Sequence, residues 1–448
     1  MIDPLQPPAP PVSPIMPSSS TETETSEHPL ADVRAHVLDL CRRGSCVREM
    51  PGLVRTLADD RLRAELVAIA TQMRVLGLVL QRLDRAEVLD ALPEAAARDL
   101  RECTRRARLG SAGYQLERDH VVARLRREGI EPLLLKGAAL RGTLYADPLQ
   151  RAVSDIDVLV EEAALETALS ALVRAGYRRP AAAEAAAYRR AHFHFRLTHP
   201  RGHVVELHWA LTTPTATFRL EPARFLADSV SVERALGPAL RVPRSEHMLL
   251  HLVAQSAEER FIRFDRIVDV DRMVDAGGLD WAFLCDAARS AGLTTALALS
   301  LELARSLLGT EVPESVAGAV RPSALVRANL RLLRPGRRLL VPDRCRRSAS
   351  DQLVHLWLLP GAAPRAAALG RILARGAVEP TEWAPAPEGP LPVHRRILSL
   401  VKTLAFQGAL YAGADRDPRS AGSNPVALWP ARPDGRSTST VLALQETA

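Results

Sequence analysis

The hydrophobic pattern of this 448-residue chain changes period twice, and that constrains the fold more than any single motif. Up to about residue 128 the apolar residues recur at steps of three and four. Leu62, Leu66, Ile69, Met73, Leu76, Leu80 and Leu83 make one stripe, the spacing of an amphipathic helix. A further helix runs through "LERDHVVARLRRE" and stops at Gly129, a plausible C-cap. The runs then shorten. "PLLL" reads as a buried strand and "DIDVLV" as a second; "EEAALETALSALVRAG" is a helix with Leu165, Ala168, Leu169 and Leu172 on one face, and "HFHFRLT" and "HVVELHW" are two more strands. From about 244 the helical spacing returns in "SEHMLLHLVAQSAEE", "RFDRIVDVDRMVDAGG", "DWAFLCDAARSAG" and "TTALALSLELARSLLG". Strands in one segment with helices on either side define an α+β chain.

The expected organisation has five parts. Residues 1–30, rich in Pro, Ser, Thr and Glu, bury too little apolar surface to order, and the tail 412–448 has the same character. Between them lie a helical region (31–115), a strand-containing core (116–240) and a C-terminal helical domain (241–411). The last two strands can be registered by parity. Only one pairing sets Phe193, Phe195 and Leu197 against Val205, Leu207 and Trp209. It places His194 opposite His208 and Arg196 opposite Glu206, the geometry of a cross-strand ion pair. It also leaves Pro200-Arg201-Gly202 as a three-residue hairpin loop with glycine in the left-handed position.

Two carboxylates carry the first chemical signal. Asp155 and Asp157 are two apart on a strand, so both leave the same face while Ile156 and Val158 point into a core. Such a pair repels itself unless a cation lies between, and oxygen ligands of this kind suit Mg²⁺ with phosphates completing its shell. Just upstream, Lys136-Gly137 follows the "PLLL" strand. Only two lysines, Lys136 and Lys402, occur among 59 basic residues. A turn there offers backbone N–H groups and a point charge to a phosphate. Glu206 adds a third carboxylate on the polar face of the hairpin, beside His194, Arg196 and His208. His247 and His251 are four apart on a helix without a third ligand at matching spacing, which reads as packing. Asp265 and Asp269 sit among arginines and read as ion pairs. GxxxxGK[ST] and GxGxxG are absent, which weighs against a P-loop kinase and a Rossmann oxidoreductase.

Taken together, "LLLKGAALRGTLYADPLQRAVSDIDVLV" resembles the uncharacterised nucleotidyltransferase family of the DNA polymerase β-like superfamily. The matching positions are Lys136, Gly137, Tyr145, Pro148, Arg151, Asp155, Asp157, Gly176 and Tyr177, followed by Glu206, His208 and Trp209. The likeness covers roughly residues 35–310. It implies a nucleotidyltransferase-like mixed β-sheet core with helices packed on it. It also implies transfer of a nucleoside monophosphate from an NTP to an acceptor hydroxyl with release of pyrophosphate. Asp155, Asp157 and Glu206 are then the catalytic and metal-binding set, with two Mg²⁺ ions, and Glu206 helps activate the acceptor hydroxyl. Lys136, Gly137 and Arg151 bind the nucleotide; His194, Arg196 and His208 support the acceptor side. The wider superfamily usually has Gly-Ser where this chain has Lys136-Gly137, so a charge stands in place of a hydroxyl. The alternative is a protein that keeps this fold and binds nucleotide or a partner without turnover.

Net charge is +7, but the arginines are interleaved with acids, as on solvated helix faces, so nucleic acid is not the expected partner; a helical RNA-binding adaptor, motivated by the charge, stands as a third reading. The odd count of five cysteines, without zinc spacing, reads as free thiols in a reducing compartment. No uncharged apolar run approaches a membrane span, and the first residues lack a signal-peptide pattern; the expectation is a cytoplasmic protein.

Overall fold

A computed structural model describes residues 28–179, 189, 192–214, 216, 218–234, 237–333 and 356–375. The segments expected to be disordered lie outside these residues, except that α1 (His28–Cys41) already begins at 28. The apolar stripe of the N-terminal region is divided between α3 (Asp60–Gln72) and α4 (Leu76–Arg85), after a short α2 (Leu53–Ala58). Between α3 and α4, Arg74 takes a left-handed φ of 60°. Leu66, Ile69, Met73, Leu80 and Leu83 are buried on both sides of the bend, so the stripe continues across it.

The next helix, α5 (Glu94–Arg127), has 34 residues, a length of about 50 Å at the α-helical rise. It ends where Gly129 adopts φ 74°. The boundary expected at 115/116 therefore falls inside one continuous helix, because the apolar positions Leu100, Tyr114, Val121, Val122 and Leu125 keep helical spacing through it. α5 packs on α4 and on α7 (Leu165–Arg174).

Four strands form the central sheet: β1 (Leu133–Leu134), β2 (Ile156–Leu159), β3 (His194–Thr198) and β4 (Val204–His208), in the order β1-β2-β4-β3. β2 and β4 are parallel and the other pairs antiparallel, so the sheet is mixed. The hairpin has the expected register, with His194 opposite His208 and Arg196 opposite Glu206. Gly202 takes φ 85° in the loop, and the His199 and Gly202 N–H groups donate to His203 and His199 carbonyls at 2.8 and 2.9 Å. One sheet face buries Ile156, Val158, Phe195, Leu197, Val205 and Leu207. The other carries Asp157, His194, Glu206 and His208; α6 (Lys136–Thr143) packs on β2.

A second, two-stranded sheet follows the short helix α8 (Pro222–Ala227): β5 (Ser229–Val232) pairs with β6 (Leu240–Pro243), which lies against β1. In the C-terminal part, α9 (Ser245–Glu258) is buried from Glu246 to Ala257, and α10 (Phe264–Ala276), α11 (Trp281–Ser290) and α12 (Thr294–Leu308) pack around it. The last three end on Gly277, Gly292 and Gly309 at positive φ. α9 instead passes through Arg260 and Phe261 at φ 59° and 57°.

Candidate functional site

The site begins with strand register. Parallel pairing sets Asp157 of β2 beside Glu206 of β4, and β3 brings His194 opposite His208. Lys136 comes to the same place from the first turn of α6. It is held in the left-handed region at φ 45°, a conformation that costs a β-carbon residue about 1 kcal/mol. Its side chain is turned onto the sheet and is only 14% exposed. Lys136-Gly137 is therefore the start of a helix and not the open turn that the sequence pattern led us to expect. Gly137 is buried there, and an added Cβ would come within 2.9 Å of a Val153 methyl, so a larger residue would force a shift.

Lys136 Nζ donates to Asp157 Oδ1 at 2.7 Å and lies 3.7 Å from Glu206 Oε2. His208 Nε2 is 3.1 Å from the same Asp157 oxygen and 3.7 Å from the same Glu206 oxygen. Asp155, just ahead of β2, is positioned by its own carbonyl, which accepts from Tyr114 Oη at 2.8 Å. Asp155, Asp157 and Glu206 all line one cleft of about 370 Å³, within the usual range for a small-molecule site.

The electrostatics separate the three carboxylates. Burial raises Asp155, and the charges of Asp157 and Glu206 push it further. Burial also works against the charge of Asp157, but the Lys136 ammonium and the His208 hydrogen bond outweigh it and hold the carboxyl below the usual range. Glu206 is depressed in the same way, against burial, by the His208 hydrogen bond and the Lys136 charge. His194 is pushed down to about 3 by burial and by His208, so it is neutral. His208 rises above its ordinary value because its bonds to Asp157 and Glu206 exceed the cost of burying the charge.

Arg196 faces Glu206 in register but is exposed, and the expected ion pair between them is not formed. Glu206 is drawn to Lys136 and the two histidines, which are better buried partners. Arg151 borders the cleft, yet its guanidinium is committed to Asp265 and Asp269 at 2.8 and 2.7 Å. Those aspartates are ion-paired as their setting predicted, although Asp269 takes its arginine from the loop before β2 and not from its own helix. His247 stacks on Phe225 with ring centroids 4.6 Å apart, and His251 is buried against the same ring, so both serve packing.

Sequence reasoning missed the far wall of the cleft. Arg74 reaches it from the bend between α3 and α4; Glu258, Glu259 and Arg266 come from the end of α9 and the start of α10. Arg266 donates to Glu259 at 2.6 Å, and its Nη1 is buried without a hydrogen-bond partner. Glu258 Oε1 is likewise buried and unpartnered, and burial together with Glu259 raises the Glu258 carboxyl to about 7. The charge run "EERFIRFDR" was the available signal, but it reads equally as a solvated face.

The lining carries five basic side chains (Arg74, Lys136, Arg151, Arg263, Arg266) and five acidic ones (Asp155, Asp157, Glu206, Glu258, Glu259). A cleft so balanced attracts a polyanion only if cations come with it. Asp155, which makes no ion pair among the described residues, fits that requirement; ligand atoms of His194, Glu206 and His208 also lie within 4.8 Å of one another, but Glu206 and His208 already meet Lys136 and Asp157. Two imidazoles in the set admit Mn²⁺ or Zn²⁺ as readily as Mg²⁺.

A family model described as "Uncharacterised nucleotidyltransferase" matches residues 60–309. The chain belongs to this family. The match runs from the start of α3 to the glycine after α12 and so includes every cleft residue named above. No curated protein and no solved structure matches the chain. Among the described residues no helix is long and apolar enough to cross a membrane, and Cys41, Cys46, Cys103 and Cys285 are free thiols.

Proposed function

We propose that the cleft transfers a nucleoside monophosphate from an NTP to an acceptor hydroxyl. The observation that carries this reading is the convergence of Asp155 and Asp157, at β2, with Glu206, on β4, on one cleft that also holds cations for phosphate. Asp155 and Asp157 hold a divalent ion, Mg²⁺ by the usual chemistry of nucleotide sites; when bound, it neutralises the triphosphate and makes the α-phosphorus a better electrophile.

The chain's own groups do the rest. Lys136 is the point charge nearest the carboxylates, and the unsatisfied Nη1 of Arg266 is a ready donor for a phosphate oxygen. Arg151 anchors the loop that carries Asp155 to α10, which makes it a positioning residue. Glu206, held by Lys136, His194 and His208 and strongly depressed, is a poor base. Glu258 has a proton affinity matched to neutral pH and is the better proton acceptor for the acceptor hydroxyl. The acceptor oxygen bonds to the α-phosphorus as the bond from that phosphorus to the bridging oxygen breaks. Pyrophosphate leaves with the electron pair, and Glu258 takes the hydroxyl proton.

The Lys136–Asp157 pair favours a second reading, a family member that binds nucleotide with its carboxylates already neutralised and does not turn over. Incubation with α-³²P NTPs and Mg²⁺ against a panel of hydroxyl acceptors separates the two. Label transferred by the wild type and lost in Asp155→Asn supports transfer. Calorimetric binding of Mg·ATP or Mg·CTP with no transfer supports the second reading.

A further inference from the structure

The cleft holds a cation of its own in a fixed place. Asp157 and Glu206 are register partners on β2 and β4, and an ion bridging Asp157 Oδ1 and Glu206 Oε2 would meet groups already in place. Those two oxygens are already shared by Lys136 Nζ, at 2.7 and 3.7 Å, and by His208 Nε2, at 3.1 and 3.7 Å.

Neither nitrogen is a loose surface group. His208 is fully buried at a position fixed by strand register, and Lys136 is turned inward by its left-handed backbone. A divalent ion placed between the carboxylates would crowd against both nitrogens where water screens little. Expelling the ammonium would leave a lysine without its partners in a buried setting. Asp155 lines the same cleft and is half-buried like Lys136 and Glu206, but among the described residues it makes no ion pair.

We infer that Lys136 is a resident replacement for one of the two divalent ions implied by the chain's family, so that the protein takes a single divalent ion, on the Asp155 side of the cleft. The purpose of that ion rests on the nucleotidyl-transfer reading; the count does not. The ammonium supplies fixed positive charge beside Asp157 and Glu206, and the one exchangeable ion is left to Asp155.

Titration of the full chain with MnCl₂ alone, reading free Mn²⁺ by electron paramagnetic resonance, tests the count. The expected result is one Mn²⁺ per wild-type chain, two for Lys136→Met, and at least a tenfold weaker single site for Asp155→Asn. Two ions on the wild type, or none, overturn the inference. So does a Lys136→Met protein with native circular dichroism that still binds one. If Lys136→Met does not fold, the wild-type count and the Asp155→Asn affinity decide the matter. The transfer assay is read separately: one bound Mn²⁺ without transfer keeps the inference and removes the activity, whereas two bound ions with transfer do the reverse.

Discussion

Arg151 and Asp269, 118 residues apart in sequence, form a buried pair in which Arg151 Nε donates to both carboxylate oxygens at 2.8 and 2.9 Å. Tyr145 Oη donates to the same aspartate at 2.6 Å, and Asp265 takes the Nη1 edge of the guanidinium at 2.8 Å. The loop leading to Asp155 is thereby fixed to α10. Asp269→Ala leaves a buried guanidinium half-satisfied, and the expected loss is about 3 kcal/mol of unfolding free energy. Urea unfolding monitored by circular dichroism measures it. A loss below about 1 kcal/mol would mean that Asp265 alone suffices.

Asp155→Asn acts in the opposite sense on stability. The carboxylate is penalised by burial and by two neighbouring negative charges, so neutralising it is expected to leave the urea midpoint unchanged or slightly higher. Transfer should fall at least about 100-fold, near 2.7 kcal/mol of barrier. A variant that unfolds early and keeps its activity would contradict both halves of this expectation.

The Glu258 carboxyl, raised to about 7, gives a signed pH dependence. The folded state binds its proton more tightly than the unfolded chain, whose carboxyl has the ordinary value of 4.5. Between roughly pH 4.5 and 7 the unfolded state therefore holds fewer protons, and stability falls as pH rises. Glu258→Gln should remove that decline, so its advantage over the wild type in melting temperature grows from pH 5 to pH 8. In the transfer reaction the ionised form is the active one, so kcat/KM rises through about pH 7 in the wild type and loses that limb, with about a 100-fold drop, in Glu258→Gln. Parallel pH profiles for the two proteins would remove Glu258 from the reaction.

Two glycines separate steric from conformational cost. A Cβ on Gly77 would lie 1.9 Å from the Leu149 carbonyl oxygen, whereas one on Gly202 meets nothing within 4 Å. Gly77→Ala must move backbone and is expected to cost about 3 kcal/mol. Gly202→Ala carries only the left-handed penalty, about 1 kcal/mol. Comparable unfolding midpoints for the two variants would argue against the close approach of α4 to the Pro148–Gln150 turn.

The hairpin was legible because two independent constraints, apolar parity and a glycine-terminated loop, demanded one register. That Asp157 and Glu206 share a sheet face was legible because both sit at fixed phases of short strands; Asp155 lies just ahead of β2, outside the strand that the sequence pattern assigned to it. What Glu206 bonds to was not legible, since Arg196 is its register partner but exposed, while Lys136 arrives from a segment whose helical start the Lys-Gly pair conceals. The Arg74, Glu258 and Arg266 wall was hidden for a similar reason. Its members are brought together by the crossing of α9, α10 and the α3–α4 bend, and long-range packing leaves no local period to read. Arg151 was expected to bind the nucleotide; its guanidinium is instead paired with Asp265 and Asp269, a tertiary contact with no local signal in the sequence.

The uninterrupted α5 has a practical consequence for anyone who would treat the sheet as a transplantable module. A fragment cut at 115/116 discards Tyr114, and with it the hydroxyl that anchors the Asp155 carbonyl. The smallest inheritable piece of this protein therefore includes the helices that precede the strands, which is where the family match also begins, at residue 60. Gene fusions and chimaeras that respect that limit keep the loop before β2 supported; those that split α5 sever it from its brace.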